Sequence, residues 1–177
     1  SFTGGGSLSL DGNVQLTNAE GQLVGTYATI QAAINAADTG YTVNIAAGDY
    51  AENLMITKDG ITLVGAPDRA TIIRPGTSNA TDGNVITVRA DNVTITGLTI
   101  DGANNTLTGG VMLADGTVSH AARLISNYQD ALSPKGFATD GLTVTDNTLM
   151  HGQRFGVVVY NEGASRSGNN LIENNDF

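Results

Sequence analysis

The stretch "VTITGLTIDG" (Val93–Gly102) alternates apolar and polar side chains, but the alternation slips by one residue at Gly97. Val93 and Ile95 lie in one phase, Leu98 and Ile100 in the other. A continuous strand cannot carry this pattern, because a one-residue slip sends every later side chain to the opposite face of its sheet. A bend at Gly97 removes the conflict. The stretch then becomes two short strands meeting at a corner.

The same pattern recurs along the chain. Aligning "NVTITGLTI" (Asn92–Ile100) with "GLTVTDNTL" (Gly141–Leu149) and "NNLIENNDF" (Asn169–Phe177) places Ile95, Val144 and Ile172 in one column. Ile100, Leu149 and Phe177 fall in another, and "GITLVG" (Gly60–Gly65) adds Leu63 to the first. Gly97, Asp146 and Asn174 share the corner, and these are residue types that tolerate positive φ. Asn147 and Asn175 form a further column beside it. Two readings stand for that column: amides stacked inward and hydrogen-bonded from coil to coil, or plain turn chemistry.

The spacings from Leu63 to Ile95, Val144 and Ile172 are 32, 49 and 28 residues in succession. One turn of a parallel β-helix with its loops takes roughly 20 to 30 residues. The 49-residue interval is therefore read as two turns, with remnants of the intermediate one at "GVMLADG" (Gly110–Gly116) and "ARLIS" (Ala122–Ser126).

Ahead of the repeats, "TYATIQAAINAADTG" (Thr26–Gly40) places Ile30, Ala33, Ile34 and Ala37 at the i, i+3, i+4, i+7 spacing of an amphipathic helix. Thr26 is the expected cap and Gly40 the expected stop. A solenoid needs its first coil covered, since an open end exposes apolar core and unpaired edges, and this helix is suited to be the lid. Short alternating strands follow in "YTVNIAAGDYAENLMITKDGITLVGA" (Tyr41–Ala66), separated by Gly-Asp and Asp-Gly turns.

Over Tyr27 to Ala66, through "TIQAAINAA", "VNIAAGDYAENLMI" and "ITLVGA", the chain resembles the right-handed parallel β-helix proteins typified by pectate lyases and pectin methylesterases. The resemblance implies an all-β fold, a right-handed parallel β-helix (solenoid) with an N-terminal amphipathic cap helix. Residues 1–177 are read as a single domain, 1–40 the cap region and 41–177 the stacked coils. The resemblance leaves function open, because the same opening precedes lyases, esterases, epimerases and noncatalytic surface domains. Phe177 closes a repeat unit, so the chain is read as a fragment of a longer solenoid or as a domain covered by a partner, with end-to-end self-association as one outcome.

Composition narrows the partners. The 177 residues hold 17 acidic and 8 basic side chains, for a formal net charge of -9. Neutralising phosphates needs clustered Lys and Arg, so neither a nucleic acid nor an anionic membrane surface is an expected partner. There is no run of about 18 apolar residues, hence no expected membrane insertion. With no Cys there is neither a disulfide framework nor thiol chemistry. An acidic, cysteine-free, Gly/Asn/Thr-rich chain suits a bacterial protein that is secreted or held at the cell surface.

The densest group of chemistry-bearing residues lies between Asp130 and Tyr160: Asp130, Lys135, Asp140, His151, Arg154 and Tyr160. Acting on a uronate polymer by β-elimination or C5 epimerisation takes a cation on the carboxylate, a base for the C5 proton and an acid for the leaving oxygen. His151, Arg154, Tyr160 and Lys135 are the candidate catalytic set on that reading. The Asp-Pro-His stretch of mannuronan epimerases and the compact calcium-holding Asp cluster of pectate lyases are absent. "DGANN" (Asp101–Asn105) and "ENND" (Glu173–Asp176) hold oxygen ligands suited to Ca²⁺, with turn chemistry as the alternative, and no other cofactor is implied. Two histidines, His120 and His151, are too few for a zinc site of ordinary composition.

Two functions follow. The first is a noncatalytic extracellular β-helix serving adhesion, glycan binding or scaffolding, with a polysaccharide or neighbouring protein subunits as partners. The second is the N-terminal part of a polysaccharide lyase or uronate C5-epimerase. A chain of charge -9 repels an acidic polymer unless Lys135, Arg154, Arg123 and Arg166 build a local cationic groove, which favours the first.

Overall fold

The computed structural model describes residues 13–128, 139–160 and 168–177. Its first elements are strands β1 (Val14–Thr17) and β2 (Leu23–Tyr27) and helix α1 (Ile30–Ala36). Four successive coils follow, each made of three strands. They are β3 (Thr42–Ile45), β4 (Gly48–Ala51) and β5 (Leu54–Ile56), then β6 (Thr62–Val64), β7 (Thr71–Arg74) and β8 (Asn79–Val88). The third coil holds β9 (Thr94–Thr96), β10 (Leu98–Asp101) and β13 (Ala121–Ser126), with a small hairpin, β11 (Val111–Met112) and β12 (Val118–Ser119), looped out between the last two. The fourth is β14 (Thr143–Thr145), β15 (Thr148–Met150) and β16 (Phe155–Val158), and β17 (Leu171–Glu173) begins a fifth.

Equivalent strands stack into three parallel sheets. Sheet A runs β17-β14-β9-β6-β3 and continues into the antiparallel pair β1 and β2; sheet B runs β15-β10-β7-β4 and sheet C β16-β13-β8-β5. Register makes continuous columns of apolar side chains. In sheet A these are Val43, Leu63, Ile95, Val144 and Ile172, paired in that order, and all but Ile172 are buried. Tyr50, Ile73, Ile100 and Leu149 align in sheet B, and Leu54, Ile86, Ile125 and Val157 in sheet C. The core is these columns facing one another.

The corner between sheets A and B accounts for the phase slip. Gly97, Asp146 and Asn174 have φ of 71°, 58° and 55°. One left-handed residue turns the chain, and the next strand restarts in the opposite phase. Beside it the amide column is turned inward. Asn147 is fully buried and its Nδ2 donates to Asn175 Oδ1 at 3.0 Å, while its Oδ1 accepts from Leu98 N at 3.0 Å. Packing at this corner leaves no room for a side chain on Gly65, whose N–H donates to Thr96 O at 3.0 Å and whose added Cβ would lie 2.1 Å from Gly97 O. Gly65→Ala is expected to cost about 1–3 kcal/mol, read as a lower denaturation midpoint.

At the corner leading into sheet A, carboxylates do the stacking. Asp59 Oδ1 accepts from Asp91 N at 2.9 Å, Asp91 Oδ1 from Asp140 N at 2.8 Å, and Asp140 Oδ1 from Gly168 N at 2.6 Å. Asp140 therefore serves a turn. The 49-residue interval is one turn and not two, because Ile95 pairs directly with Val144. Its length comes from the excursion that carries β11 and β12, and "ARLIS" belongs to β13, the third strand of the same coil.

Helix α1 packs against β1, β2, β3 and β5 through Ile30, Ala33 and Ile34. Its cap is Thr29, whose side chain accepts from Ala32 N at 3.1 Å, and not Thr26. Thr26 is extended in β2, paired with Gln15, and pairing there overrides its capping propensity. Coil one completes both helix ends with the sign the helix dipole favours. Glu52 accepts from Ile30 N and Gln31 N at 2.9 and 3.0 Å, and Lys58 Nζ donates to the carbonyls of Asn35 and Ala37. Gln31 pairs with β5 as a strand would: its Oε1 accepts from Met55 N at 2.8 Å and its Nε2 donates to Met55 O at 3.1 Å. That edge would otherwise present unpaired backbone groups.

Candidate functional site

Two polar constellations arise from side chains that sheet register brings together. The first lies on the outward side of sheet B. Arg74 and Asp101 each follow an interior residue of its column, Ile73 and Ile100, and so point away from the core. Arg74 Nε donates to Asp49 Oδ1 and Oδ2 at 3.1 and 2.9 Å, and its NH1 bonds to Asp101 Oδ2 and to Ala103 O. Asp101 Oδ1 accepts from Ala103 N at 2.9 Å and meets His151 Nδ1 at 2.7 Å. His151 Nε2 lies 3.7 Å from Asp115 in the turn between β11 and β12. Asp49, Arg74, Asp101 and His151 thus come from four successive coils in one row, and Asp115 of the looped-out hairpin closes its end.

Burial works against the Arg74 charge, but the hydrogen bond to Asp49 and the charges of Asp101 and Asp49 outweigh it and hold the guanidinium above its ordinary pKa. Asp115 is held below the usual carboxylate range, first by the Thr117 backbone N–H and further by His151. With Asp101 buried behind it, the imidazole is oriented as a base is oriented by a carboxylate in proton-transfer sites. A shallow cleft of about 360 Å³ opens beside this ladder, lined by Asp49, Ala51, Arg74, Asn104, Asn105 and Thr106.

The second constellation lies beside sheet C. The guanidinium of Arg123 sits 4.6 Å from the centroid of the Tyr128 ring, and Tyr128 meets Tyr160 edge to face with centroids 5.7 Å apart. Asp82 accepts from Arg123 NH2 at 2.8 Å, and Asn84 Oδ1 from NH1 at 3.3 Å. Asn127 locks the neighbouring backbone: its Oδ1 accepts from Tyr160 N at 2.7 Å and its Nδ2 donates to Tyr160 O at 2.9 Å. Arg123, Tyr128, Phe155, Val158 and Tyr160 line a cleft of about 230 Å³. Phe155 and Tyr160 are 51% and 43% exposed, unusual for aromatic side chains in a chain with only nine Phe and Tyr.

The residues singled out from sequence fall in different places. His151 joins the sheet B ladder and Tyr160 the aromatic cleft. Arg154 lies at the entry to β16, its N–H donating to Ala122 O at 2.9 Å and its Nε to Gln153 Oε1 at 3.1 Å. Lys135, Asp130 and Arg166 lie outside the described residues. In "DGANN" the Asp101 oxygens are taken by Arg74, His151 and Ala103, and Asn104 Oδ1 by Thr106. Asp176 of "ENND" pairs with Arg69. Among the described residues no three His, Cys, Asp or Glu side chains converge as a metal set, and no helix is long and apolar enough to cross a membrane. Asp49, Tyr128 and Phe155 carry no sequence signal that marks them as site residues, and Asp101 is marked only as a candidate Ca²⁺ ligand of "DGANN".

No protein-family model matches the chain, and no curated protein matches it. Solved structures do. A pectin methylesterase in complex with a hexasaccharide is 20% identical with a TM-score of 0.53, over 75% of this chain and 42% of that one. Pectin methylesterase PemA from Erwinia chrysanthemi is 19% identical with a TM-score of 0.51, again over 75% and 42%. A mutant pectin methylesterase bound to another hexasaccharide is 20% identical with a TM-score of 0.50, over 71% and 40%. The chain thus spans about two fifths of the length of the proteins it matches. At this identity the likeness establishes architecture alone, and the architecture is the right-handed parallel β-helix of the pectin-methylesterase-like proteins.

Proposed function

We propose that this β-helix is a noncatalytic glycan-binding domain of a secreted or surface protein, with α1 as the lid over its first coil. The observation that carries the reading is the cleft of Arg123, Tyr128, Phe155, Val158 and Tyr160. Its exposed aromatic bodies, Phe155 and Tyr160, offer apolar faces to the C–H side of a sugar ring, and the Arg123 guanidinium, held by Asp82 and Asn84, backs the cleft wall. Pairing of the cations supports binding over turnover. Among the described residues Arg69, Arg74 and Arg123 are each engaged by a carboxylate and Lys58 by carbonyls, so these four are committed elsewhere than to an enolate-like centre. Tyr160→Ala is expected to weaken binding of an oligosaccharide about tenfold. Two of the five Tyr lie in the cleft and there is no Trp, so a change in tyrosine fluorescence that is lost in Tyr160→Ala reports the cleft. Titration with pectate, alginate and neutral hexasaccharides tests it, and no response to any of them would sink the reading.

The Asp101–His151 pair favours a second reading, the N-terminal part of a polysaccharide lyase or C5-epimerase. There His151 or Tyr160 would move the proton and Arg154 would hold the substrate carboxylate. Unsaturated sugar ends read by ultraviolet absorbance, and C5 hydrogen exchange with solvent, decide it on pectate and alginate; methanol release from methylated pectin extends the test to ester hydrolysis. Binding without any of these products is the expected result.

A further inference from the structure

We propose that the cleft between the outward face of sheet B and the base of the looped-out segment of coil three binds a neutral sugar through two neighbouring hydroxyls. One wall is Asp49 and Ala51 of β4 with Arg74 of β7; the other is Asn104, Asn105 and Thr106. At about 360 Å³ the cleft is at the small end of ligand sites. Both walls are fixed before a ligand arrives. Arg74 is held by Asp49 and by the buried Asp101. Asn104 is buried as well. It donates from its backbone N to His120 Nδ1 at 3.2 Å and from Nδ2 to Pro75 O at 2.8 Å, and its Oδ1 accepts from Thr106 N and Oγ1 at 3.0 and 2.7 Å. A preset wall spares a ligand the entropy cost of ordering it.

The hydrogen bonds already made decide the ligand class. Arg74 Nε is taken by Asp49, and Nη1 is taken by Asp101 and Ala103 O. The two forked edges of a guanidinium are Nε with Nη2 and Nη1 with Nη2, so each has lost one of its donors. A carboxylate or phosphate, which binds arginine best through two parallel N–H groups, finds no free fork here. Charge points the same way, because Asp49 and Asp101 outnumber Arg74 and leave no surplus positive charge for an anion. Nη2 makes no hydrogen bond among the described residues and is the nitrogen that Arg74 has left to offer, beside the Asp49 carboxylate as acceptor. A hydroxyl both donates and accepts, and two on adjacent ring carbons can meet this donor and this acceptor together. Asn105 adds an exposed amide that makes no hydrogen bond among the described residues, and Ala51 adds a methyl for the C–H side of the ring. The site shares no residue with the aromatic cleft, and its ligand class stands on these atoms whether or not that cleft binds.

The test is chemical-shift mapping on the nitrogen-15-labelled chain, with the Arg74 Nε–H and Asn105 side-chain amide signals reporting this cleft. Cellohexaose offers trans pairs of ring hydroxyls and mannohexaose cis pairs, and a pectate hexasaccharide is the charged comparison. A neutral probe is expected to shift both signals in the parent and to the same extent in Tyr160→Ala. Asp49→Asn keeps the shape and removes the charged acceptor, and is expected to weaken that response about tenfold; Asn105→Ala is expected to weaken it about threefold. Each variant is first shown to have the parent's circular dichroism. Met112→Ser, on the exposed β11 hairpin, is expected to respond as the parent does. Shifts confined to Tyr128 and Tyr160 would overturn this site and leave the aromatic cleft standing, and no shift anywhere would overturn both. Equal affinities in the parent and the two folded cleft variants would overturn it too, as would tighter binding of the pectate hexasaccharide at these signals.

Discussion

Ile95→Asp is expected to abolish folding. Ile95 is fully buried in the third coil, paired with Leu63 on one side and Val144 on the other. A carboxylate there faces only the apolar columns of the three sheets and has no cation within the interior. Either it ionises without a partner or it stays protonated at neutral pH; each route costs several kcal/mol, on the scale of a whole domain's stability. The coil cannot turn the residue outward, because a one-residue slip would bury Thr94 and Thr96 and expose Val93. Soluble expression and the circular dichroism melt check this. A variant that melts with the parent would mean that the column assignment is wrong.

Asn147→Leu is expected to be nearly as damaging despite its similar branched shape, and its larger volume adds crowding to the loss. The amide donates to Ile95 O, Thr145 O and Asn175 Oδ1 at 2.9–3.0 Å and accepts from Leu98 N. A leucine side chain fills the space and satisfies none of them. Each buried backbone group left unpaired costs about 1–3 kcal/mol, so the total lies at about 4 kcal/mol or above. Asn147→Asp separates the terms, since when protonated it keeps the acceptor for Leu98 N and has one O–H donor in place of the amide's two N–H groups. It is expected to fall between the leucine variant and the parent in a urea titration at a pH where the carboxyl is neutral. Equal midpoints for Asn147→Leu and the parent would show that the amide only fills a turn.

The corner and its columns are legible because they are local signals. "VTITGLTIDG" breaks phase over ten residues, and three copies of that break set the register of sheets A and B. The cap of α1 falls at Thr29 rather than Thr26 because β2 runs through Thr26, and strand pairing is decided by residues far along the chain. The 49-residue turn looks like two in the sequence because a looped-out hairpin leaves no periodic trace. The sheet B ladder is invisible for the same kind of reason. Asp49 and Arg74 are 25 residues apart, Arg74 and Asp101 are 27, and Asp101 and His151 are 50. A signal is nevertheless present: once Ile73 is set in the Ile100 column, Arg74 and Asp101 follow as outward neighbours. Of the aromatic cleft the sequence marks Tyr160 and Arg123, because Tyr128 and Phe155 look like ordinary core-forming residues until the exposure of Phe155 is seen.

The looped-out hairpin of coil three has its two feet joined. His120 N donates to Gly102 O at 2.7 Å, His120 O accepts from Asn79 N at 2.9 Å, and Gly102 N donates to Met150 O at 2.9 Å. Residues 103–119 thus leave and re-enter the helix at a single point, and the flanking coils pair as they would without them. Since closing a longer loop adds little entropy cost per residue, this position behaves as a socket. Segments of quite different length and sequence can be exchanged there while the stacked register above and below is untouched. The solenoid then serves as a rigid handle on which a binding loop is diversified, by natural variation or by grafting.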